Sequence, residues 1–174
     1  WAHWNGWRCR LWMDAIARIR SAISCSAIAC NGRKECKMKT CGEIAAWFDR
    51  RWPESLAESW DNVGLLVGRA GKEVHTVYVA LDATEAAIEA AVRERADMLI
   101  TYYPLIFGGV KHVSDRDALG RRLLSLIAAD IACYSGHTSF DIAKGGMADL
   151  AAGRLGLFDE KKELLPLEAA GEQD

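Results

Sequence analysis

From Met38 onward the apolar and polar positions follow a regular succession of periods. Ile44, Trp47 and Phe48 recur at helical spacing behind Thr40 and Glu43, the pattern of a capping box, so a helix is predicted over 41–52, ended by Pro53. Two apolar runs follow, VGLLVG at 63–68 and VHTVYVAL at 74–81, and the Gly-containing turn 69–72 between them reads as the loop of a β-hairpin. An alternation then sets in: an Ala- and Glu-rich helix over 84–95, a buried strand over 97–101, a helix over 115–129 opened by Ser114, and a strand over 131–134. Gly145 and Gly146 lead into a last helix at 147–155, ended by Gly156. Residues 159–174 are charged and lack periodicity, the pattern of a frayed tail.

Strands separated by helical crossovers of this length imply parallel pairing with helices packed on the sheet. The expected class is α/β, a mixed sheet with a βαβαβ core and flanking helices. In open sheets of this kind ligands bind in the crevice at the carboxyl ends of the strands. Three strand ends carry polar residues there: Asp82, the stretch Thr101 to Pro104 with its tyrosine pair Tyr102 and Tyr103, and His137 to Asp141 in GHTSFD.

Composition changes this picture in one place. The chain has 174 residues, 51% hydrophobic and 26% charged, enough for one ordinary core, with a formal net charge of -2 that gives no reason to invoke nucleic acid. No apolar run approaches the ~18 residues that read as a membrane span. Residues 1–37, however, hold seven Lys or Arg against Asp14 and Glu35, together with four of the seven Trp and four of the six Cys. Such a shift marks a boundary, so 1–37 is set apart as an atypical basic leader and 38–158 as the folded domain. Trp12, Ile16, Ile19 and Ile23 would make a short amphipathic helix for a membrane surface or a partner; the plainer expectation is that the natural protein begins at Met38. Cys30, Cys36 and Cys41 lack zinc-knuckle spacing, and Cys41 and Cys133 in the domain fit buried free thiols of a reducing cytoplasm.

Each candidate residue has a plain structural role beside its chemical one. Asp82 can cap the helix that starts near Thr84. His137 can tie down its own loop or act as a catalytic or ligand group. Asp141 can cap the turn before Gly145 or, as a carboxylate in a crevice, hold a cation. Tyr102 and Tyr103 can pack as amphipathic aromatics with their hydroxyls toward water. His75 and His112 read as structural or surface residues, and no glycine run matches a P-loop or a dinucleotide fingerprint.

Five motifs in series, DNVGLLVG at 61–68, VALDAT at 79–84, ITYYPLIFGG at 100–109, GHTSFD at 136–141 and RLGL at 154–157, resemble the Nif-three-like family, many of whose members are called GTP cyclohydrolase I type 2 homologues. The resemblance covers about residues 38–157. It implies a hydrolase-like protein with two divalent metal ions of zinc, iron or manganese type, assembled as a homohexamer, with a small-molecule substrate; beside it, the composition leads us to expect a cytoplasmic location and neither nucleic acid nor membrane as partner. In that family the strand end reads His-His-Pro and both histidines are metal ligands; here they are Tyr102 and Tyr103. Asp141 matches the motif's metal-binding Asp, His137 its His, and Ser139 stands where the motif has Asn. The remaining ligands of the family lie in a His-x-x-x-Glu nearer its carboxyl terminus, and this chain has no histidine after His137, so the domain reads as truncated there. Two functions follow: a metal-dependent hydrolase-like protein with an impaired metal site, or a noncatalytic, metal-free derivative acting in assembly or interaction.

Overall fold

The computed structural model describes residues 38–157. The basic leader 1–37, with its expected amphipathic helix, and the charged tail after Phe158 lie outside these residues. The chain forms β1 (Lys39–Thr40), α1 (Cys41–Arg51), β2 (Gly64–Val67), β3 (Glu73–Val74), β4 (Val77–Ala80), α2 (Glu85–Arg93), β5 (Met98–Thr101), α3 (Ala118–Ala128), β6 (Ala132–Ser135), α4 (His137–Ile142) and α5 (Met147–Leu155), with one helical turn at Glu54–Leu56.

The four-stranded sheet has the order β2-β6-β5-β4. β4, β5 and β6 run parallel, joined through α2 and α3 as the βαβαβ pattern requires, and β2 lies antiparallel to β6 at the opposite edge from β4. Alternation along the central strands divides the core. Met98, Ile100 and Tyr102 of one strand, with Ala132 and Tyr134 of the next, face Ile44 and Phe48 of α1, Phe140 of α4 and Met147 of α5. Leu99 and Cys133 point the other way, toward Ile88 of α2 and Leu123 and Leu126 of α3. The aromatic side is tightly stacked, with Phe48 4.6 Å from Tyr134 and 5.2 Å from Trp52.

Several local expectations hold. Thr40 and Glu43 form the capping box at the start of α1, Gly156 takes the left-handed conformation at the end of α5, and Cys41 and Cys133 are buried free thiols. The hairpin does not form. β2 and β4 lie at opposite edges because Glu73–Val74 pairs with Lys39–Thr40 instead, and the turn is held beneath α1 by Cys41 N–H to the Lys72 carbonyl (2.9 Å) and Gly42 N–H to that of Ala70 (2.8 Å). The helix expected from Ser114 opens later, at Ala118, because the Asp117 carboxylate accepts from Gly120 N–H at 2.7 Å and is the better cap. The Ser114 carbonyl packs directly on Gly120, where a Cβ would come within 1.8 Å of it.

Candidate functional site

The carboxyl ends of β4, β5 and β6 bring the sequence candidates to one place, held by backbone contacts. Tyr102 and Tyr103 N–H both donate to the Leu81 carbonyl that follows β4 (3.2 and 3.0 Å). The Tyr102 carbonyl in turn accepts from His137 N–H at 3.0 Å and from the Ser135 hydroxyl at 2.8 Å. GHTSFD, read from sequence as a strand-end cluster, is therefore the first turns of α4, and its helical pitch places His137 and Asp141 on neighbouring turns.

Tyr102 is fully buried, and its hydroxyl lies 2.7 Å from each carboxylate oxygen of Asp141. The expectation that both tyrosine hydroxyls face water fails for this residue, because Tyr102 continues the inward face of Met98 and Ile100. Tyr103 is half-buried, its ring edge-on to Tyr102 at 4.7 Å. Asp141 does not cap the turn before Gly145; the Asp149 carboxylate takes that N–H. Asp82 does not cap α2 either, since the Thr84 hydroxyl accepts from Ala87 N–H at 3.1 Å. Burial raises the Asp82 carboxyl above its ordinary range, partly offset by the charges of Arg122 and His137.

His137 is not tied to backbone through its side chain. Its Nδ1 lies 2.9 Å from Asp61 Oδ2, and the same oxygen accepts from Thr138 N–H (3.1 Å) and from the Thr138 hydroxyl. Asn62 N–H donates to the other oxygen at 2.8 Å. The Asp61 side chain has no exposed surface. Burial pushes its carboxyl up, but the hydrogen bonds from Thr138, His137 and Asn62 outweigh that and leave it below the usual carboxylate range. Around the imidazole stand four rings: Tyr103 at 5.2 Å, Tyr102 at 5.3 Å, Phe107 at 5.7 Å and Trp60 at 5.9 Å. Trp60 and Phe107 are more than half exposed. His75 and His112 are exposed, His112 3.3 Å from Asp117, in keeping with the surface roles expected of them.

Sequence reading missed Asp61, Trp60 and Phe107. The only available signal was the position of Asp61 at the head of the DNVGLLVG motif, where a carboxylate precedes a strand rather than ending one.

A family model described as Duf34/NIF3 (NGG1p interacting factor 3) matches residues 39–168. The chain belongs to this family. It is similar to the GTP cyclohydrolase 1 type 2 homolog of Bacillus subtilis, 36% identical over 117 residues that make up 67% of this chain and 31% of the relative. NIF3-like protein 1 of Rattus norvegicus is 38% identical over 59% of this chain and 27% of its own length. Among solved structures, a Bacillus cereus protein related to NIF3 superposes with a TM-score of 0.66 at 38% identity, covering 71% of this chain and 34% of that one. Reduced HcgD from Methanocaldococcus jannaschii superposes at 0.65 and 32% identity, covering 72% and 50%. The chain thus spans about a third of the length of the curated relatives it matches.

The metal pair implied by the resemblance can be tested against these residues. Among the described residues no three His, Cys, Asp or Glu side chains converge on a point where a metal ion could sit. Two transition metals require several convergent ligands of fixed geometry. The described residues do not supply that donor set, and at the positions matched to ligands Tyr102 and Asp141 are hydrogen-bonded to each other.

Proposed function

We propose that this chain is a noncatalytic, metal-free member of its family, one that keeps the α/β fold and acts through assembly or interaction rather than through hydrolase-like metal chemistry. The observation that carries this reading is the Tyr102 hydroxyl 2.7 Å from both oxygens of Asp141. A phenol keeps its proton to about pH 10 and donates it to the carboxylate, so the pair is satisfied at neutral pH without an ion. Self-association, a hexamer by the family resemblance, and a cytoplasmic location belong to the same proposal. Among the described residues no helix is long and apolar enough to cross a membrane.

The test is the metal content of the purified chain beside a Tyr102→His, Tyr103→His double variant. The unmodified chain is expected to hold less than a tenth of an equivalent of any transition metal, and the variant to gain metal. Stoichiometric metal in the unmodified chain overturns the reading in favour of the metal-dependent one.

A further inference from the structure

We propose that Asp61 is a positioning residue that locks His137 as the Nδ1–H tautomer, so that Nε2 offers a lone pair to a flat ligand bearing an N–H or O–H donor. The inference goes beyond the metal-free reading and does not depend on it.

The hydrogen-bond inventory around Asp61 permits one arrangement. The Thr138 hydroxyl accepts from Glu58 N–H at 3.0 Å and, because an ionised carboxylate can only accept, sends its own proton to Asp61. Thr138 N–H donates to the same carboxylate oxygen. An ionised carboxylate accepts and never donates, so the third group on Oδ2, His137 Nδ1, must carry its proton. In the neutral ring Nε2 is then unprotonated. It makes no hydrogen bond to a described residue and is not among the enclosed unpartnered side-chain atoms of the described residues, which are Ser114 Oγ, Arg122 Nε and Tyr134 Oη. About a tenth of the His137 side chain remains open, and the exposed rings of Trp60 and Phe107 lie 5.9 and 5.7 Å from the imidazole. Both rings stand nearly perpendicular to the imidazole, at 74° and 80°, and supply aromatic surface within reach of a flat molecule that donates to Nε2.

Long-range proton–nitrogen correlation NMR on the full 15N-labelled chain, at alkaline pH where imidazoles are neutral, reads the tautomer directly. The His137 signals are assigned by their loss in His137→Gln. The unmodified chain and Thr138→Ala are expected to show a protonated Nδ1 and a free Nε2. In Asp61→Asn the amide can donate to Nδ1, and the ring is expected to shift toward Nε2–H. An Nε2–H ring or an averaged spectrum in the unmodified chain overturns the proposal, as does an Nδ1–H ring retained in a folded Asp61→Asn; if that variant does not fold, the other two spectra decide. Titration with phenol is expected to shift the Nε2 resonance, and to do so less in Trp60→Ala and Phe107→Ala. No shift, or an equal shift in those variants, removes the ligand class. Metal content is read independently of the tautomer, so failure of one proposal leaves the other standing.

Discussion

At the amino-terminal end of the parallel strands Asp97 accepts from His75 and Thr76 N–H (2.8 and 3.0 Å) and pairs with Lys72 at 3.2 Å, while Lys72 also donates to the backbone carbonyl of Asp130. At the carboxyl-terminal end Asp61 accepts from Thr138, His137 and Asn62. For both carboxyls burial pushes the pKa up, and the hydrogen bonds outweigh it and leave the group below its ordinary range. The electrostatic result is the same, but the access of water differs. About a fifth of the Asp97 side chain is open, and none of Asp61. The wetter network ties a turn to a strand start. The dry one sits beside aromatic rings and ends on an imidazole nitrogen with no partner among the described residues, so it can present a group as well as hold a loop.

The sharpest test of that contrast is to remove each carboxylate. Asp61→Ala strands three N–H donors, His137 Nδ1, Thr138 N and Asn62 N, and the Thr138 hydroxyl; each donor that water cannot reach costs roughly 1–3 kcal/mol, so a loss of at least about 3 kcal/mol is expected. Asp97→Ala strands two N–H groups that solvent can reach, and the expected loss is about 1 kcal/mol. Urea denaturation of both variants measures the difference, and equal losses would break the comparison.

The Tyr102–Asp141 pair falls between these cases, with a fully buried donor and a half-buried acceptor. Tyr102→Phe keeps the ring and removes the hydroxyl. A hydrogen bond to a charged group contributes about 1.5–3 kcal/mol, and partial hydration of Asp141 in the variant offsets some of that, leaving a loss of about 1–2 kcal/mol. The same urea experiment checks it, and a loss below that of Asp97→Ala would place the pair with the wet network.

How much of this was legible in sequence depended on range. The capping box of α1 and the alternation from β4 to β6 are local patterns, and each appears in its expected place in the order, with only the start of α3 moved from Ser114 to Ala118. The pairing of β2 was not legible, because an apolar run next to a Gly turn suits a hairpin as well as it suits an edge beside β6, and the two residues of β3 that decide the matter carry no period. At the site, strand ends correctly gathered Tyr102, Tyr103, His137 and Asp141. Asp61 stayed invisible because its partners lie 76 and 77 residues further along, and a carboxylate before a strand has no spacing that announces a histidine across the fold.

The smallest expected effect separates two carboxylates at the same end of the sheet. The Asp82 carboxyl is raised, chiefly by partial desolvation of a side chain that stays largely exposed, whereas that of Asp61 is lowered by its donors. The signs of their linkage to folding are therefore opposite. For Asp61 the stabilisation is present above the unfolded carboxyl value of about 3.9 and is lost as pH falls through the lower folded value. For Asp82 it is present below about 3.9 and is lost as pH rises through the higher folded value, so at neutral pH the ionised group is a small burden. Asp82→Asn is thus expected to raise stability at neutral pH by roughly a few tenths of a kcal/mol, solvent screening of this exposed side chain keeping the gain small, and to lose that advantage in acid. Asp61→Asn is expected to do the reverse, destabilising at neutral pH and converging on the unmodified chain as pH falls through the lowered folded value. Thermal midpoints of the two variants across pH ~2.5 to 7.5 measure both slopes, and parallel curves would show that the two carboxylates share one environment.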